Sequence, residues 1–544
     1  MAMRSFNFRE FKGLPRLFLD FNESSDSIIK FYKYNHREIN SYRQVASLID
    51  QQKFQRERLR DIISSATSGL TLSTETRSNI DKISDPKTLT VFAGQQVGML
   101  LGPIFTVYKA ITIHKLAAQL ESQLQRPVIP CFWMATDDHD FDEVKSAGLL
   151  NRSGDYVNIS YEPEMDIAGY PITDIHLDGG VIAFLDDLQK ALIETEFTLE
   201  ILAINRGIYF QGQSMAGAFG ELLNKILDSL GIIPIDPNYE GMKELMVPVF
   251  RSEIDNHWEL FNDYETRSQL LLDAGYHRQV HKNSSNLNLF YNDGIRRSVH
   301  SRDEKYSFDN QSVEFDKGGL LRLLENNPSK FSPNVLLRPI AQCHVFPVVA
   351  QIVGPSEAAY FAQIEPLFKR FDAIWPVIRP RIFATIIEPH IERIVNKMAI
   401  SIPSLYNDKE AEYSRVIREY VPFDLGEKIS DLKGMMNEQF DDLLSGLTPS
   451  DTESNQALNH SRKKIDFEFS QLFGKAFSIH KKRQEAIKDQ IERAHKFLFP
   501  LGKFQERIIS PVYFANKFGL DIFARLSGKL NIDSIEHQII DTNV

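Results

Sequence analysis

Cysteine is scarce in this chain of 544 residues, which contains only Cys131 and Cys343. Two cysteines cannot form a disulfide framework or a metal site made of thiolates alone. Both lie in apolar stretches without a charged neighbour to activate the thiol, so packing is the expected role of each. The low cysteine content indicates a reducing compartment.

The sequence also lacks long apolar runs and an excess of basic residues. No segment approaches the roughly 18 consecutive apolar residues of a membrane span, and the stretch MAMRSFNFREFKGLPRLF has no apolar signal-peptide core. The net charge of −11 and the pI near 5.8 argue against a general nucleic-acid or membrane-surface binder. We therefore expect a cytoplasmic protein that binds neither nucleic acid nor membrane.

A strand–loop–helix–strand pattern near residue 90 predicts the fold class. Thr88–Ala93 is rich in β-branched residues, a glycine-rich loop follows, and apolar residues recur at helical spacing from Pro103, which suits a first helical position. Val128–Ala135 is continuously apolar, as a strand covered on both faces is. The resulting βαβ unit, whose strand and Gly-Pro turn recur in Val348–Ile364, predicts an α/β protein with a parallel-sheet core.

Residue composition and the spacing of apolar residues divide the chain into three parts. Residues 1–388 are the predicted core, with an insertion from about 150 to 230 in which RSGDYVNISYEPEM and YPITDIHLDGG look like short strands and turns. Residues 389–499 are dense in charged residues with apolar residues three and four apart, which predicts two antiparallel helical arms joined by a polar turn at Thr448–Gln456. The spaced apolar residues are Ile429, Leu432, Met436, Leu443 and Leu447, then Ile465, Phe469, Leu472, Ala476 and Ile479. Residues 500–544 are expected to return to the core.

An acidic cluster follows the buried strand, in the segment TDDHDFDE. It contains Asp137, Asp138, His139 and Asp140. Ligands of open α/β sheets bind beyond the carboxyl ends of strands, and mutually repelling carboxylates would be relieved there by an amine or another cation. An acidic helix N-terminus that caps free N–H groups explains the cluster about equally well. A metal site ranks below substrate binding, because consecutive side chains point in different directions.

Two further sets of candidate residues lie before and after this cluster in the sequence. In the glycine-rich loop and the helix after it, small residues allow close approach of a ligand and a helix N-terminus offers N–H groups to an anion. The residues concerned are Gly94, Gln95, Gln96, Gly102, Pro103, Thr106 and Lys109. Near the second Gly-Pro turn, polar side chains interrupt apolar sequence, which indicates ion pairs or anion binding. They are Arg338, Gln342, Glu357, Tyr360, Arg379 and Arg381.

Four segments together resemble the cysteine-adding enzymes of bacillithiol biosynthesis, the BshC family. They are GQQVGMLLGPIFTVYKA, RPVIPCFWMATDDHDFDEV, LRPIAQCHVFPVVAQIVGPSEAAYFAQI and PLGKFQER, in the family's order along nearly the whole chain. The resemblance implies a Rossmann-like core with connecting insertions, a C-terminal α-helical coiled coil and a homodimer formed through it. It also implies a cytoplasmic ligase that joins L-cysteine to the amine of glucosaminyl malate. The family is distantly similar to class I aminoacyl-tRNA synthetases and to the mycothiol cysteine ligase, whose nucleotide loop carries two histidines where this chain has Gln95 and Gln96.

The resemblance implies a ligase that forms a carbon–nitrogen bond, and because a carboxylate must be activated before it condenses with an amine, we predict that it depends on ATP, with no metal in the protein itself. The individual roles are assigned by position. Asp137, Asp138 and Asp140 would hold the α-amine of cysteine or the sugar amine, and His139 would be the base for the attacking amine.

The remaining polar groups would bind the anionic parts of the substrates. The loop Gly94–Pro103, with Thr106 and Lys109, would hold phosphates or the cysteinyl carboxylate. The carboxylates of the malate would go to Arg338, Arg379 or Arg381.

Two other functions remain open at this point. One is a metal-dependent hydrolase built on the Asp/His cluster, which a chelator would inactivate and which would not need ATP. The other is a non-catalytic adaptor that binds a partner through the helical hairpin at residues 427–498.

Overall fold

The structure is a computed structural model that describes residues 4–420, 425–448 and 450–542, and only the backbone of residues 425, 426, 476 and 480. Residue 449 of the predicted polar turn, and the side chain at 476 of the predicted apolar pattern, therefore lie outside the description. The chain forms two compact units, Met1–Ile387 together with Lys503–Val544, and Glu388–Gly502.

The strands and helices alternate through most of the first unit. The strands are β1 (Arg4–Phe6), β2 (Leu89–Gln95), β3 (Val128–Met134), β4 (Ser146–Leu150), β5 (Tyr156–Ser160), β6 (Ile233–Ile235), β7 (Asn286–Asn292), β8 (Arg296–Arg302), β9 (Lys305–Phe308), β10 (Glu314–Asp316), β11 (Phe331–Pro333), β12 (Val348–Val353), β13 (Val377–Pro380), β14 (Ala384–Ile387) and β15 (His537–Asp541). The helices are α1 (Arg16–Asn22), α2 (Asp26–Ile29), α3 (Ile39–Ile49), α4 (Arg56–Ala66), α5 (Thr74–Lys82), α6 (Phe105–Leu124), α7 (Phe141–Val144), α8 (Gly180–Ala191), α9 (Thr198–Ile208), α10 (Met215–Ile226), α11 (Met242–Asp255), α12 (His257–Asp273), α13 (Lys317–Asn326), α14 (Arg338–Val345), α15 (Pro355–Arg370), α16 (Pro389–Lys397), α17 (Ile402–Asn407), α18 (Lys409–Tyr420), α19 (Leu425–Ser445), α20 (Thr452–Leu498), α21 (Pro511–Phe518) and α22 (Ile522–Lys529).

Five strands form a parallel sheet in the order β13-β12-β2-β3-β6. Every residue of β3 is buried, and so is every residue of β12, which is why these segments are continuously apolar in sequence. Helix α6 packs against β2 and β3 and connects them. The predicted α/β core with a parallel sheet is therefore confirmed.

The order of the strands reverses between β2 and β12. From β2 the chain moves outward through β3 to β6, and it then crosses to β12 and β13 on the other side. Ligands of open α/β sheets bind at such a reversal, beyond the carboxyl ends of the strands. The segments 94–96 and 354–357, which end β2 and follow β12, both border a cleft at this edge.

The helix after β2 begins later than the sequence predicts. Pro103 does not take a first helical position, because a short 3-10 turn at Met99–Leu101 comes first and α6 starts at Phe105. Gly102 has a φ of +61°, which glycine adopts without steric cost. The N–H of Ile104 donates to the carbonyl of Ile509 at 2.8 Å, and the N–H of Thr106 to that of Pro103 at 3.0 Å, so neither N–H is available to an anion.

A second sheet lies in the connection between β6 and β12, in the antiparallel order β10-β9-β8-β7-β11. Within this sheet the sequence predicts the β7–β8 hairpin, because NLNLFYNDGIRRSV places Asn292-Asp293-Gly294 between two strand-like runs, and Gly294 does turn at a φ of +110°. The buried carboxylate of Glu253 in α11 fixes this sheet, because it accepts the N–H of Asn288 at 2.7 Å and its side-chain amide at 3.1 Å. The sheet carries Phe290 and Arg296 to the cleft.

Within the predicted insertion from about 150 to 230, the stretch RSGDYVNISYEPEM contains β5, which pairs with β4 in a hairpin, as its predicted strand character requires. The rest of the insertion, for which the sequence predicts no helix, forms α8, α9 and α10. The segment also steadies the acidic loop. The N–H of Ile172 donates to the carbonyl of Asp138 at 2.7 Å, and the N–H of Thr173 donates to the carbonyl of Thr136 at 3.0 Å.

The second unit contains the predicted helical hairpin. Helices α19 and α20 run antiparallel, since Lys433 pairs with Asp466 at 3.4 Å and Asp441 pairs with Arg462 at 2.5 Å. The connecting turn is shorter than predicted, because α20 already begins at Thr452. Among the described residues, no helix is long and apolar enough to cross a membrane.

Candidate functional site

A cleft of about 510 Å³ lies at the carboxyl ends of β2, β3 and β12. Its lining combines charged, amide and aromatic side chains from both sheets. Among the residues that line it are Gly94, Gln95, Gln96, Lys109, Trp133, Asp137, Asp138, His139, Phe290, Arg296, Asn334, Arg338, Glu357, Tyr360, Arg381 and Arg507. The structure therefore brings residues of all three predicted groups to one place.

One wall of the cleft is built around the buried ammonium of Lys109 on α6. Its Nζ donates to the carbonyl of Gly94 at 2.6 Å and to Oε1 of Gln95 at 3.1 Å, and it pairs with Oε2 of Glu357 at 2.6 Å. Burial lowers the pKa of Lys109, against the opposing effect of the Glu357 carboxylate. Glu357 also accepts the N–H of Gly354 at 2.7 Å. These contacts join the end of β2 to the start of α15.

Arg338 is the cation of this wall that is left without a counter-ion. Its Nη2 donates to the hydroxyl of Tyr360 at 2.7 Å, and no carboxylate pairs with it among the described residues. The guanidinium lies directly over Gly94, where an added Cβ would stand 3.0 Å from Nη1. A half-buried arginine with free donors is suited to a carboxylate or phosphate.

Asp138 faces the cleft from the opposite side, beyond β3. Its Oδ2 accepts the side-chain amide of Gln96 at 2.8 Å, and its Oδ1 accepts the N–H of His139 at 2.8 Å. Burial opposes ionisation of this carboxyl, but the bond from Gln96 and the charge of Arg296 outweigh it and lower the pKa of Asp138. Asp138 is thus a carboxylate that stays ionised and accessible at neutral pH.

Arg296 reaches this acidic side from the start of β8. Its guanidinium carbon lies 3.7 Å from the ring centre of Phe290, and its side chain is only 7% exposed. Nε donates to the hydroxyl of Ser332 at 3.3 Å and Nη2 donates to the carbonyl of Pro333 at 3.1 Å. Nη1 is 3.6 Å from Oδ1 of Asp138, a loose ion pair.

Asp137 is held by a buried lysine. Both of its carboxylate oxygens accept from Nζ of Lys243 on α11, at 2.6 and 2.7 Å. Behind this pair, buried Asp236 accepts the hydroxyl of Thr136 at 2.5 Å and the N–H of Asn238 at 2.8 Å. The negative charge of Asp137 is therefore neutralised inside the protein.

Asp236 should make the stability of the fold depend on pH. Burial raises its pKa from 3.8 to about 6, so folding favours the protonated form. The stability that the protonated Asp236 contributes is fully present below the pKa this carboxyl has in the unfolded chain. It is lost as the pH rises through the pKa it has in the folded protein. Relative to Asp236→Asn, the wild type should lose up to about 3 kcal/mol of unfolding free energy between about pH 4 and pH 7. Urea denaturation of both proteins across this range measures the difference, and parallel curves would contradict the expectation.

Arg381 contributes to the cleft while its charge is neutralised below it. Its Nη1 and Nη2 donate to the two carboxylate oxygens of Glu506 at 3.0 and 2.7 Å, and the two side chains are 2% and 3% exposed. Glu506 also accepts the N–H of Ala384 at 3.0 Å. This ion pair ties the segment after β13 to the C-terminal part of the first unit.

Several of the residues predicted from the sequence lie elsewhere. The part of the glycine loop beyond Gln96 turns away from the cleft. Arg379 pairs with Asp533 at 2.8 Å on the outside of the sheet. Asp140 is an exposed N-cap that accepts the N–H of Glu143 at 3.3 Å, as the helix-capping interpretation requires. The predicted residues that do not line the cleft are Gly102, Pro103, Thr106, Asp140, Gln342 and Arg379.

Sequence reasoning missed Arg296 and Lys243. Arg296 follows the predicted hairpin turn, but nothing in the sequence shows that the second sheet packs over the acidic loop. Lys243 lies on a helix without any local signal. The acidic cluster by itself predicts only that cations from other parts of the chain must neutralise its buried carboxylates.

The carboxylates of the acidic loop do not converge on one point. Asp137 is directed to Lys243, Asp138 to Gln96 and Arg296, and Asp140 to its own helix. Within the described ranges, no three histidine, cysteine, aspartate or glutamate side chains gather as metal ligands would. The geometry gives the metal-dependent hydrolase no specific support.

Comparison with protein families matches the chain in two parts. Residues 1–382 match the N-terminal Rossmann-like domain of bacillithiol biosynthesis BshC, and residues 384–542 match its C-terminal coiled-coil domain. The predicted coiled coil agrees with the second match.

Individual relatives cover nearly the whole chain. Proteins named "Putative cysteine ligase BshC" are 28% identical in Salinibacter ruber, covering 97% of this chain and 96% of the relative, and 27% identical in Natranaerobius thermophilus, covering 97% of each. A solved structure from Campylobacter jejuni, described as a "putative arginyl t-RNA synthetase", has 9% identity and a TM-score of 0.23, covering 87% of this chain and 98% of its own. A likeness that low carries no argument.

Proposed function

Because this chain belongs to the BshC family of bacillithiol biosynthesis, we propose that it is a ligase that joins L-cysteine to the amine of glucosaminyl malate, with consumption of ATP. One observation carries the proposal. Ionised Asp138 and Arg338, which has no counter-ion in the part of the chain that the structure describes, face a single cleft at the switch point of the sheet. A ligase for these substrates needs such a pair, because it must hold an amine and several anionic groups together.

The cleft divides the substrate groups by charge. Asp138 attracts an ammonium group, and Arg338 attracts a carboxylate or a phosphate. The other charges are already matched, since Lys109 pairs with Glu357 and Arg381 with Glu506. Arg338 therefore marks where an anionic substrate group binds, and Asp138, whose ion pair with Arg296 is loose at 3.6 Å, marks where an ammonium group binds.

The residues on the Arg338 side fit ATP. Gly94 leaves open the space under the guanidinium that a Cβ would fill, and Arg338 offers donors to a phosphate. When bound, ATP supplies the activation without which a carboxylate and an amine do not condense at neutral pH. Lys109 would hold the end of β2 in place beneath it, through its bonds to Gly94 and Gln95.

The chemical step needs a neutral amine and a stabilised oxygen. The amine nitrogen attacks the activated carbonyl carbon, a carbon–nitrogen bond forms, and the leaving group departs with its oxygen. We assign removal of the amine proton to His139, which is 42% exposed at the acidic side of the cleft. Arg338 would stabilise the negative charge that develops.

The test is a reaction of the purified chain with L-cysteine, glucosaminyl malate and ATP, followed by mass spectrometry. The proposal requires the cysteinyl product, and requires it only when all three reactants are present. Product formed without ATP would contradict the ATP dependence. No product from a folded chain that binds neither substrate would contradict the ligase.

Gly94→Ala should weaken anion binding while the chain still folds. The new Cβ would stand 3.0 Å from Nη1 of Arg338, and the flexible end of that side chain would move aside. Loss of one well-placed charged hydrogen bond should raise KM for ATP about tenfold. Gly207→Ala is the control, because an added Cβ there would meet no described atom within 4 Å beyond its chain neighbours and the backbone of its own helix. An unchanged KM in Gly94→Ala would remove Arg338 from the ATP site.

We also propose a homodimer through the helical hairpin of the second unit. Its support is a set of large apolar side chains that α20 leaves exposed to solvent, among them Phe467, Phe477 and Ile479. The mass of the intact chain in solution, measured by light scattering, distinguishes one copy from two.

A further inference from the structure

The protein fixes the orientation of the Arg296 guanidinium but does not satisfy all of its hydrogen-bond donors at short distance. The stacking on Phe290 and the bonds from Nε and Nη2 to Ser332 and Pro333 fix the plane of the guanidinium. Nη1 points to the acidic side, where it has only loose contacts, at 3.6 Å to Asp138 and 3.3 Å to Nδ1 of His139. One donor edge of a buried, rigid guanidinium is thus left for a ligand.

Asp138 is oriented in the same way. Gln96 binds its Oδ2, the N–H of His139 binds its Oδ1, and its backbone carbonyl accepts the N–H of Ile172. A carboxylate accepts up to about four hydrogen bonds, so further positions remain for an ammonium group. Asp138 and Arg296 therefore place an acceptor and a donor of opposite charge side by side in the cleft.

We propose that Asp138 and Arg296 form a clamp for the zwitterion of an α-amino acid, with the ammonium on Asp138 and the carboxylate on Nη1 of Arg296. This inference rests on the proposed cysteine ligation and places the cysteine on the acidic side of the cleft. Arg338, on the other wall, is then left for the anionic groups of the second substrate and of ATP.

Charge balance favours a zwitterion over the other substrates. Asp138 and Arg296 nearly cancel each other, and Asp137 beside them is neutralised by Lys243. A ligand with several negative charges would be repelled by Asp138, whereas it gains from the unmatched charge of Arg338. A ligand that carries one charge of each sign on adjacent carbons can pair with both members of the clamp at once.

The test measures binding of three probes to the intact chain by calorimetry. L-cysteine has both charged groups, cysteamine lacks the carboxylate, and 3-mercaptopropionate lacks the amine. In the wild type, L-cysteine should bind at least about tenfold more tightly than either fragment, since each charged bond contributes about that factor. Arg296→Gln should reduce cysteine binding to the level of cysteamine and leave cysteamine binding unchanged.

Asp138→Asn should do the converse, reducing cysteine binding to the level of 3-mercaptopropionate. Arg297→Gln is the matched control, because Arg297 pairs with Asp293 and does not line the cleft. Its cysteine binding should stay within about twofold of wild type, well below the tenfold effect of one charged bond.

The outcomes separate this clamp from the proposed function. If Arg296→Gln binds cysteine as the wild type does, or weakens cysteine and cysteamine equally, the clamp is overturned while the ligase proposal stands. If the wild type does not bind L-cysteine at all, both proposals fall. A charge-neutral amino acid such as L-alanine should show the same dependence on Arg296, since the clamp recognises the charged groups rather than the thiol.

Discussion

Asp138→Asn should lower kcat/KM for cysteine ligation by about 10²- to 10³-fold, as expected when one member of a partly buried charge pair is removed. The variant keeps the size of the side chain, and its amide oxygen can still accept the bond from Gln96. What it loses is the negative charge that holds an ammonium group. Arg296 would also lose its loose ion pair with Asp138, at 3.6 Å. The measurement is the initial rate of product formation by mass spectrometry.

The control for this variant lies on the same loop. Asp142 is 85% exposed, pairs with Lys145 and does not line the cleft, so Asp142→Asn should keep nearly full activity. A loss of similar size in both variants would mean that the loop needs its total charge rather than one positioned carboxylate. Full activity in Asp138→Asn would remove Asp138 from the site.

Glu506→Gln should reduce the free energy of unfolding by about 3–5 kcal/mol, the usual effect of leaving one member of a buried ion pair uncompensated. Arg381 would remain buried with its positive charge, and its acceptors would be neutral: the carbonyl of Ile382 at 2.7 Å and the amide oxygen of the glutamine. Glutamine can still accept the N–H of Ala384, so the lost free energy of unfolding comes from the ion pair rather than from that hydrogen bond. The measurement is the urea midpoint of the intact chain.

A second substitution tests the cause of that loss. Arg381→Met in the Glu506→Gln background removes the stranded charge and should restore most of the stability, since a buried pair and apolar residues of similar volume are often equivalent. Asp187→Asn, which breaks an exposed pair with Lys190, should leave the midpoint unchanged. The explanation fails if the double variant is no more stable than Glu506→Gln alone.

The sequence was informative where structure depends on local pattern. The apolar runs of β3 and β12 and the turns after β2 and β12 follow from side-chain burial and from glycine and proline chemistry, so the parallel sheet could be predicted. Because β2 and β3 are neighbours in such a sheet, residues that follow their ends lie close together. Gln96 and Asp138 meet for this reason, at 2.8 Å.

The sequence failed where position depends on tertiary packing. Arg379 and Arg381 are two residues apart, yet one pairs with Asp533 away from the cleft and the other lines it. No local pattern distinguishes them, because the chain leaves β13 at Pro380 and changes direction. Arg296 arrives from a separate antiparallel sheet that packs over the acidic loop, a contact between segments far apart in sequence.

The transfer of oxygen from the cysteine carboxylate tests the central claim most directly. L-cysteine labelled with ¹⁸O in both carboxylate oxygens is incubated with glucosaminyl malate, ATP and the chain. If this cleft activates the carboxyl group with ATP, each cysteinyl product should be matched by one ¹⁸O atom in AMP or in phosphate, and Asp138→Asn should reduce both in parallel. Product that forms while AMP and phosphate stay unlabelled would contradict the account.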